Sequence, residues 1–297
     1  MFKSKINILA ISRGLPQVVA PIVPAEGNVF IFADLVQAEP TITLNYVYCK
    51  MLDYFTFSGL GKMPYYDGSR FMISDPYLAL AGTVPTLMPK MKQLLKEGAF
   101  DAWTTDPDSV KSHKSIKAMR KMAKPASLGL AYGLGALPPR GRTEGGLIDL
   151  LRNAGYDTTA EEARGIYSAY WGVLYPELKH YKEALADKAR NKEHLVNMMG
   201  FKLNPKKPSD AFNALIQSTV ASLLDLCEDM LDEPLEALGG AFLLRIHDEL
   251  VLEVPKEHAK FMCGKILDAG TDASNMLAFK YPVKFDPKIA NNFYEGK

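Results

Sequence analysis

Two apolar runs along the chain border acidic residues. Val29-Phe30-Ile31-Phe32-Ala33 is almost continuously apolar and closes on Asp34. Such a run predicts a strand buried on both faces, with Asp34 at its C-terminal end. Leu243-Leu244-Arg245-Ile246 and Leu250-Val251-Leu252-Glu253-Val254 flank the polar triplet His247-Asp248-Glu249. Two β-prone runs around so short a polar link predict a β-hairpin with the triplet at or near its turn.

Helical periodicity fills much of the chain between them. One helix is expected from about Gln37 to Phe57, with Pro40 in its first turn, where a missing amide costs nothing. Leu87 to Lys96 reads as a short amphipathic helix stopped by Gly98, and His113 to Tyr132 as a longer one stopped by Gly133 and Gly135, with Pro125 inside it. Further helices are expected over 147–154, 159–173, 177–192, 212–231 and 256–269, and a short hairpin around Gly200. Residues 1–28 read as irregular, 58–85 as a Gly-, Pro- and Tyr-rich connection with short elements, and the segment ending at Tyr281-Pro282-Val283-Lys284-Phe285 carries no assigned element.

Composition narrows the class. Of 297 residues, 47% are hydrophobic, enough for a sizeable core and too many for a disordered chain. Net charge is +1, so a polyanion would have to meet a local cluster of Lys and Arg rather than a global basic field. Three widely spaced cysteines, Cys49, Cys227 and Cys263, show no metal-ligand spacing and suggest a reduced, intracellular setting. No run approaches the ~18 apolar residues of a membrane span.

Asp34 and Asp248 each lie at the end of a β-run, where a side chain can be held rigidly. Two aspartates sharing a site repel unless cations lie between them, and divalent metals bridging such a pair activate a hydroxyl and stabilise a departing phosphate. The plain alternatives are a solvated hairpin tip and an aspartate that caps the next helix. Arg120, Lys124, Leu128 and Tyr132 recur every four residues along one helix face. Two cations a turn apart suit a polyphosphate, and the apolar pair beyond them suits a base; a solvated basic face is the plain reading. Asn213 and Gln217, also one turn apart, offer amides suited to minor-groove base edges.

Together these residues resemble the family A DNA polymerases. Asp34-Leu35-Val36-Gln37-Ala38-Glu39 is similar to the family's first motif, Asp-Tyr-Ser-Gln-Ile-Glu. Arg120-Lys121-Met122-Ala123-Lys124 through Tyr132-Gly133 resembles the second, Arg-x3-Lys-x7-Tyr-Gly. Ile246-His247-Asp248-Glu249 resembles the third, Val-His-Asp-Glu. Asn213 to Thr219 resembles Asn-x-Pro-Ile-Gln-Gly-Thr, and Asn291-Asn292-Phe293 resembles the closing Gly-x-Asn-Trp.

The resemblance implies an α+β fold, a palm built on an antiparallel sheet with helices plus mostly helical fingers, with thumb and exonuclease absent. Palm would span 1–58 and 206–297, and fingers 59–205. Asp34, the Leu35 carbonyl and Asp248 would bind two Mg²⁺, with Glu249 beside them as a third catalytic acid. Arg120 and Lys124 would grip the triphosphate of a dNTP, with Leu128, Tyr132, Gln37 and Glu39 around the nucleotide and Glu39 excluding a ribose 2′-hydroxyl. Asn213, Gln217, His247 and Arg13 would touch the DNA primer–template. A separate subunit would carry the thumb, a phage-type split polymerase acting in the host cytoplasm. Departures from the family's pattern are Thr41 for an Arg, Leu128 for an aromatic, Ser218 for a Gly, Pro125 within the second motif, and Trp103 for the phosphate-contacting His of Asp-x-His-Thr. A single-subunit RNA polymerase or primase, and a non-catalytic nucleic-acid-binding subunit, remain the alternatives.

Overall fold

The computed structural model describes residues 22–131 and 133–296. In chain order the elements are β1 (Asn28–Leu35), α1 (Ala38–Tyr46), α2 (Lys50–Asp53), the short strands β2 (Tyr65–Tyr66) and β3 (Phe71–Met72), α3 (Pro76–Thr83), α4 (Met88–Lys96), α5 (Pro107–Ser112) and α6 (Lys114–Ala131). They continue through α7 (Gly146–Asn153), α8 (Ala160–Ala169), α9 (Pro176–Arg190), the hairpin β4 (Leu195–Val196) and β5 (Lys202–Leu203), and α10 (Ala211–Ala237). The chain closes with β6 (Ala241–Ile246), β7 (Glu249–Pro255), α11 (Ala259–Met276) and β8 (Phe285–Ala290). The fold is α+β, and its elements divide into two compact units.

The first unit holds the described residues of 22–45, 193–205 and 212–296. Its sheet has the order β6-β7-β1-β8, with every pair antiparallel. The apolar run of β1 is therefore central, as its lack of alternation predicts. Phe30 and Phe32 share one face with Val251, Ala290 and Phe293, and the Phe32 and Phe293 rings meet edge-on at 5.1 Å. Gly296 lies directly on Phe32: a Cβ there would fall 1.9 Å from the ring, so no other residue fits without displacing it. Truncating so central a ring to alanine would cost about 3–5 kcal/mol.

Ile31, Ala33 and Leu35 point to the opposite face, whose ladder includes Phe285 across from Leu35. The backbone of Gly270 in α11 approaches the Phe285 ring there. The Cys227 thiol of α10 donates to the Ala269 carbonyl of α11 at 3.7 Å. The β4–β5 hairpin turns at Gly200, whose φ of 83° suits glycine. Asn197, buried in that hairpin, donates to Ser218 and Ser222 of α10 and accepts from the Met199 and Phe201 amides.

The second unit holds 46–192 and 206–211 and is mostly helical. Phe71, Phe100 and Trp103 form an aromatic core, with Phe71 and Phe100 at 5.5 Å and Phe100 and Trp103 at 6.3 Å. α3 packs on α6 through small residues, and Gly82 lets the helix backbone lie against Phe71. α6 turns Ile116, Met119, Ala123, Ala126, Ser127 and Leu130 inward.

The elements differ from the sequence expectation at four places. The helix expected to reach Phe57 stops at Tyr46, because the chain leaves one compact unit for the other there; Cys49 is extended and fully buried before α2 restarts the helix. A wide π-turn, Tyr54–Ser58, follows α2, and another, Tyr170–Leu174, follows α8 within the single helix expected over 159–173. α10 continues past Leu231 and through Pro234 to Ala237, and α11 extends to Met276. The unassigned C-terminal segment contains β8; Pro287 argues against an interior strand, but β8 is an edge strand, where proline is tolerated.

Candidate active site

In the first unit the two acid-bearing runs meet. Asp34 is the penultimate residue of β1, and the amide of the next residue, Leu35, donates to the Asp248 carbonyl at 3.1 Å. Asp248 occupies the turn between β6 and β7, and Glu249 begins β7 directly opposite Asp34. Directly paired residues in an antiparallel ladder project to the same sheet face, so Asp34 and Glu249 share one. On its other side Asp34 pairs with Asp286 of β8. Glu249, Asp34 and Asp286 thus form a row of acids across three strands. Like charges directly opposite one another in a ladder oppose folding. Asp286 also lies 3.6 Å from the Lys288 ammonium.

Sequence reasoning passed over Asp286 because Pro287 obscured the strand. The alternation Phe285-Asp286-Pro287-Lys288 was the signal available, since edge strands accept proline.

Glu39, in the first turn of α1, joins this neighbourhood. Its Oε1 accepts from the Gln217 amide of α10 at 2.5 Å. Partial burial raises its carboxyl above the ordinary range and the nearby Asp248 raises it further, while the Gln217 hydrogen bond opposes both. Asn213 is exposed one turn before Gln217 on α10. Gln37 and His247 have φ of 50° and 56°, in the left-handed region that non-glycine residues seldom adopt. Strained backbone of this kind collects at functional sites, where surrounding structure holds it in place.

Among the described residues no three His, Cys, Asp or Glu groups converge closely enough to hold a metal by themselves. The donor set nevertheless suits Mg²⁺. That ion prefers oxygen ligands, keeps several waters and needs only one or two protein carboxylates beside substrate phosphates. Asp34, Asp248 and the Leu35 carbonyl supply hard oxygens at one end of the sheet.

The second unit carries the basic helix face. Arg120 and Lys124 lie one turn apart on α6, with Lys124 exposed and Leu128 42% exposed beyond it. α6 runs through Pro125 to Ala131, whose carbonyl accepts from the Lys182 ammonium of α9 at 3.2 Å. Lys182 also lies over the Trp171 ring at 4.9 Å, and burial lowers its pKa to about 8. Arg120 is engaged: its Nε donates to Asp75 at 2.7 Å, and its guanidinium lies over the Tyr77 ring at 5.0 Å. Within the connection of short elements expected over 58–85, Asp75 before Pro76 is a helix-start signal, and α3 begins there. Trp103 is buried and donates its indole N–H to Ser74, so it belongs to the core of the unit. Arg13 and Tyr132 lie outside the described residues.

The first unit gathers acids at one end of an antiparallel sheet, and the second is mostly helical, an α+β arrangement. The whole architecture matches a solved POL domain of Pol1 from M. smegmatis, in complex with DNA primer-template and dNTP, with a TM-score of 0.65 over 99% of this chain and 45% of that one. At 17% identity the likeness is one of fold. The family described as DNA polymerase family A matches residues 85–295, and the chain belongs to it. Similar curated proteins include DNA polymerase I of Geobacillus stearothermophilus, 24% identical over 60% of this chain and 20% of its own length. Another is the thermostable DNA polymerase I of Thermus thermophilus, 30% identical over 48% of this chain and 17% of its own. The chain spans about a fifth of the curated relatives it matches. The family match contains Arg120, Lys124, Asn213, Gln217 and Asp248, whereas Asp34 precedes it.

No helix among the described residues is long and apolar enough to cross a membrane.

Proposed function

We propose that this chain is the palm and fingers of a template-directed DNA polymerase, the sheet-bearing unit acting as palm and the helical unit as fingers. The observation that carries the reading is the junction of β1 with the β6–β7 turn. It brings the chain positions of Asp34 and Asp248 together through the Leu35–Asp248 backbone bond.

The reaction is attack of a primer 3′-oxygen on the α-phosphorus of a dNTP. The O3′–P bond forms, the bond to the β-phosphate bridging oxygen breaks, pyrophosphate leaves, and the hydroxyl proton passes to solvent. Asp34, Asp248 and the Leu35 carbonyl would hold two Mg²⁺, which supply charge neutralisation and a more acidic hydroxyl when bound. Glu249 adds negative charge beside that pair. Arg120 and Lys124 hold the triphosphate, the first through a planar fork and the second as a point charge. Leu128 and Tyr132 border the base, and Gln37 and Glu39 border the sugar, with Glu39 obstructing a 2′-hydroxyl. Asn213, Gln217, His247 and Arg13 contact primer–template. Most of the rate then comes from positioning and charge neutralisation.

The thumb would come from further protein, with a separate subunit of a phage-type split polymerase as the favoured arrangement. Primer extension by the purified chain, with Mg²⁺ and either dNTPs or rNTPs, tests the reading. Template-directed dNTP incorporation, alone or with a captured partner, supports it. Preferential rNTP incorporation would shift it to the RNA polymerase alternative, and a role unaffected by Asp34→Ala would shift it to a non-catalytic subunit.

A further inference from the structure

Asp75 and Arg120 form a contact that the polymerase reading leaves unassigned. Asp75 is the N-cap of α3, and its side chain is only 5% exposed. One oxygen, Oδ1, accepts from the Tyr77 amide at 3.0 Å and the Leu78 amide at 2.9 Å. Those two bonds fix the carboxylate plane, and the second oxygen, Oδ2, accepts from Arg120 Nε at 2.7 Å. The Tyr77 ring lies against the guanidinium, 5.0 Å from its carbon.

This clamp holds Arg120 by the inner edge of its guanidinium. Among the described residues the two terminal amino groups have no protein acceptor, and the side chain remains 34% exposed. The paired terminal nitrogens are what grips a phosphate with two parallel bonds. A free arginine gives up rotamer freedom when it is fixed, whereas one already held gives up far less. The opposing effect is charge: a carboxylate beside Arg120 weakens its pull on an anion. Here that carboxylate is shared with two amides at the positive end of α3, so part of its charge is already answered.

We infer that Asp75 is a positioning residue for Arg120, pre-orienting the guanidinium to receive the triphosphate of the incoming nucleotide. This rests on the polymerase reading of the α6 basic face. The competing account is a structural ion pair that ties α3 to α6 and nothing more.

Equilibrium titration separates the two. The full chain, with Mg²⁺ and primer–template, is titrated with a fluorescent dNTP whose α,β-bridge cannot be cleaved. Variants are Asp75→Asn, Arg120→Ala and the pair combined. Asparagine caps a helix as well as aspartate does; Asp75→Ser, which also caps but cannot span to Arg120, serves if the first fails to fold. Asp75→Asn and Arg120→Ala should each weaken dNTP binding about tenfold, the scale of one hydrogen bond to a charged group. The double variant should be no weaker than Arg120→Ala, and primer–template affinity should stay within about twofold throughout. Unchanged dNTP affinity in Asp75→Asn, or an equal loss with Arg120 already removed, overturns the inference alone. Unchanged affinity in Arg120→Ala overturns both the inference and the triphosphate reading beneath it.

Discussion

The strand-end acids and the basic helix face are built on opposite principles. Asp34, Asp248 and Glu249 are set by inter-strand backbone bonds between segments far apart in the chain. Arg120 and Lys124 share a face because the helix repeats, with no help from distant sequence. Charge is also handled differently. Acids stand opposite acids at the end of β1, whereas Arg120 is already matched with a buried carboxylate. On the proposed reading the first region takes its cations from outside the chain. On the same reading the second receives an anionic ligand with its arginine already held.

Four experiments would break or sharpen that contrast. Asp248→Asn has the largest expected effect: single-turnover incorporation falls by about 10³-fold or more, since charge stabilisation at the reacting phosphate is lost. In metal-free buffer the same variant should unfold no more easily than the parent, and about 0.5 kcal/mol later if the like-charge repulsion is relieved. A large loss of stability in urea titration would mean that the acids pack structurally instead.

Lys182 supports the C-terminal end of α6 and gives a pH signature. Its folded pKa is about 8, below the ordinary 10.5, because burial disfavours the charge. Between those values the unfolded chain binds more protons, so this group makes the fold more stable as pH rises from about 8 towards 10.5. The parent should gain on the order of 2 kcal/mol across that window relative to Lys182→Met. Parallel stability curves for the two proteins would remove Lys182 from the support of α6.

Lys124→Ala should raise the dNTP concentration needed for half-maximal incorporation about tenfold, with DNA affinity nearly unchanged. Equal dNTP dependence in variant and parent would return Lys124 to a solvated surface role. The smallest effect is expected at the hairpin turn. His247→Gly relieves a left-handed backbone and should stabilise the protein by about 0.5–1 kcal/mol in denaturant titration, while primer–template affinity falls. Unchanged DNA binding would show that His247 serves the turn alone.

The local features of both regions were legible in the chain. The central strand was written in five apolar residues, the hairpin in two β-prone runs, and the α6 face in a four-residue repeat. The helix end at Gly98 and the hairpin turn at Gly200 followed from glycine's access to positive φ. What escaped was non-local or masked by a local breaker. β8 hid behind Pro287, and Asp286 with it. The end of α1 at Tyr46 is set by the chain's passage between two compact units, which no local propensity records.

Residue order therefore determined which side chains share a helix face and which acids close an apolar run, because those depend on backbone periods of 3.6 and 2. Tertiary structure alone decided that Asp34 lies between Glu249 and Asp286, that Gln217 holds Glu39, and that Asp75 holds Arg120. Each of those partners is separated from its mate by tens to hundreds of residues. Only the packing of whole strands and helices, driven by burial of their apolar faces, can choose which distant polar groups meet.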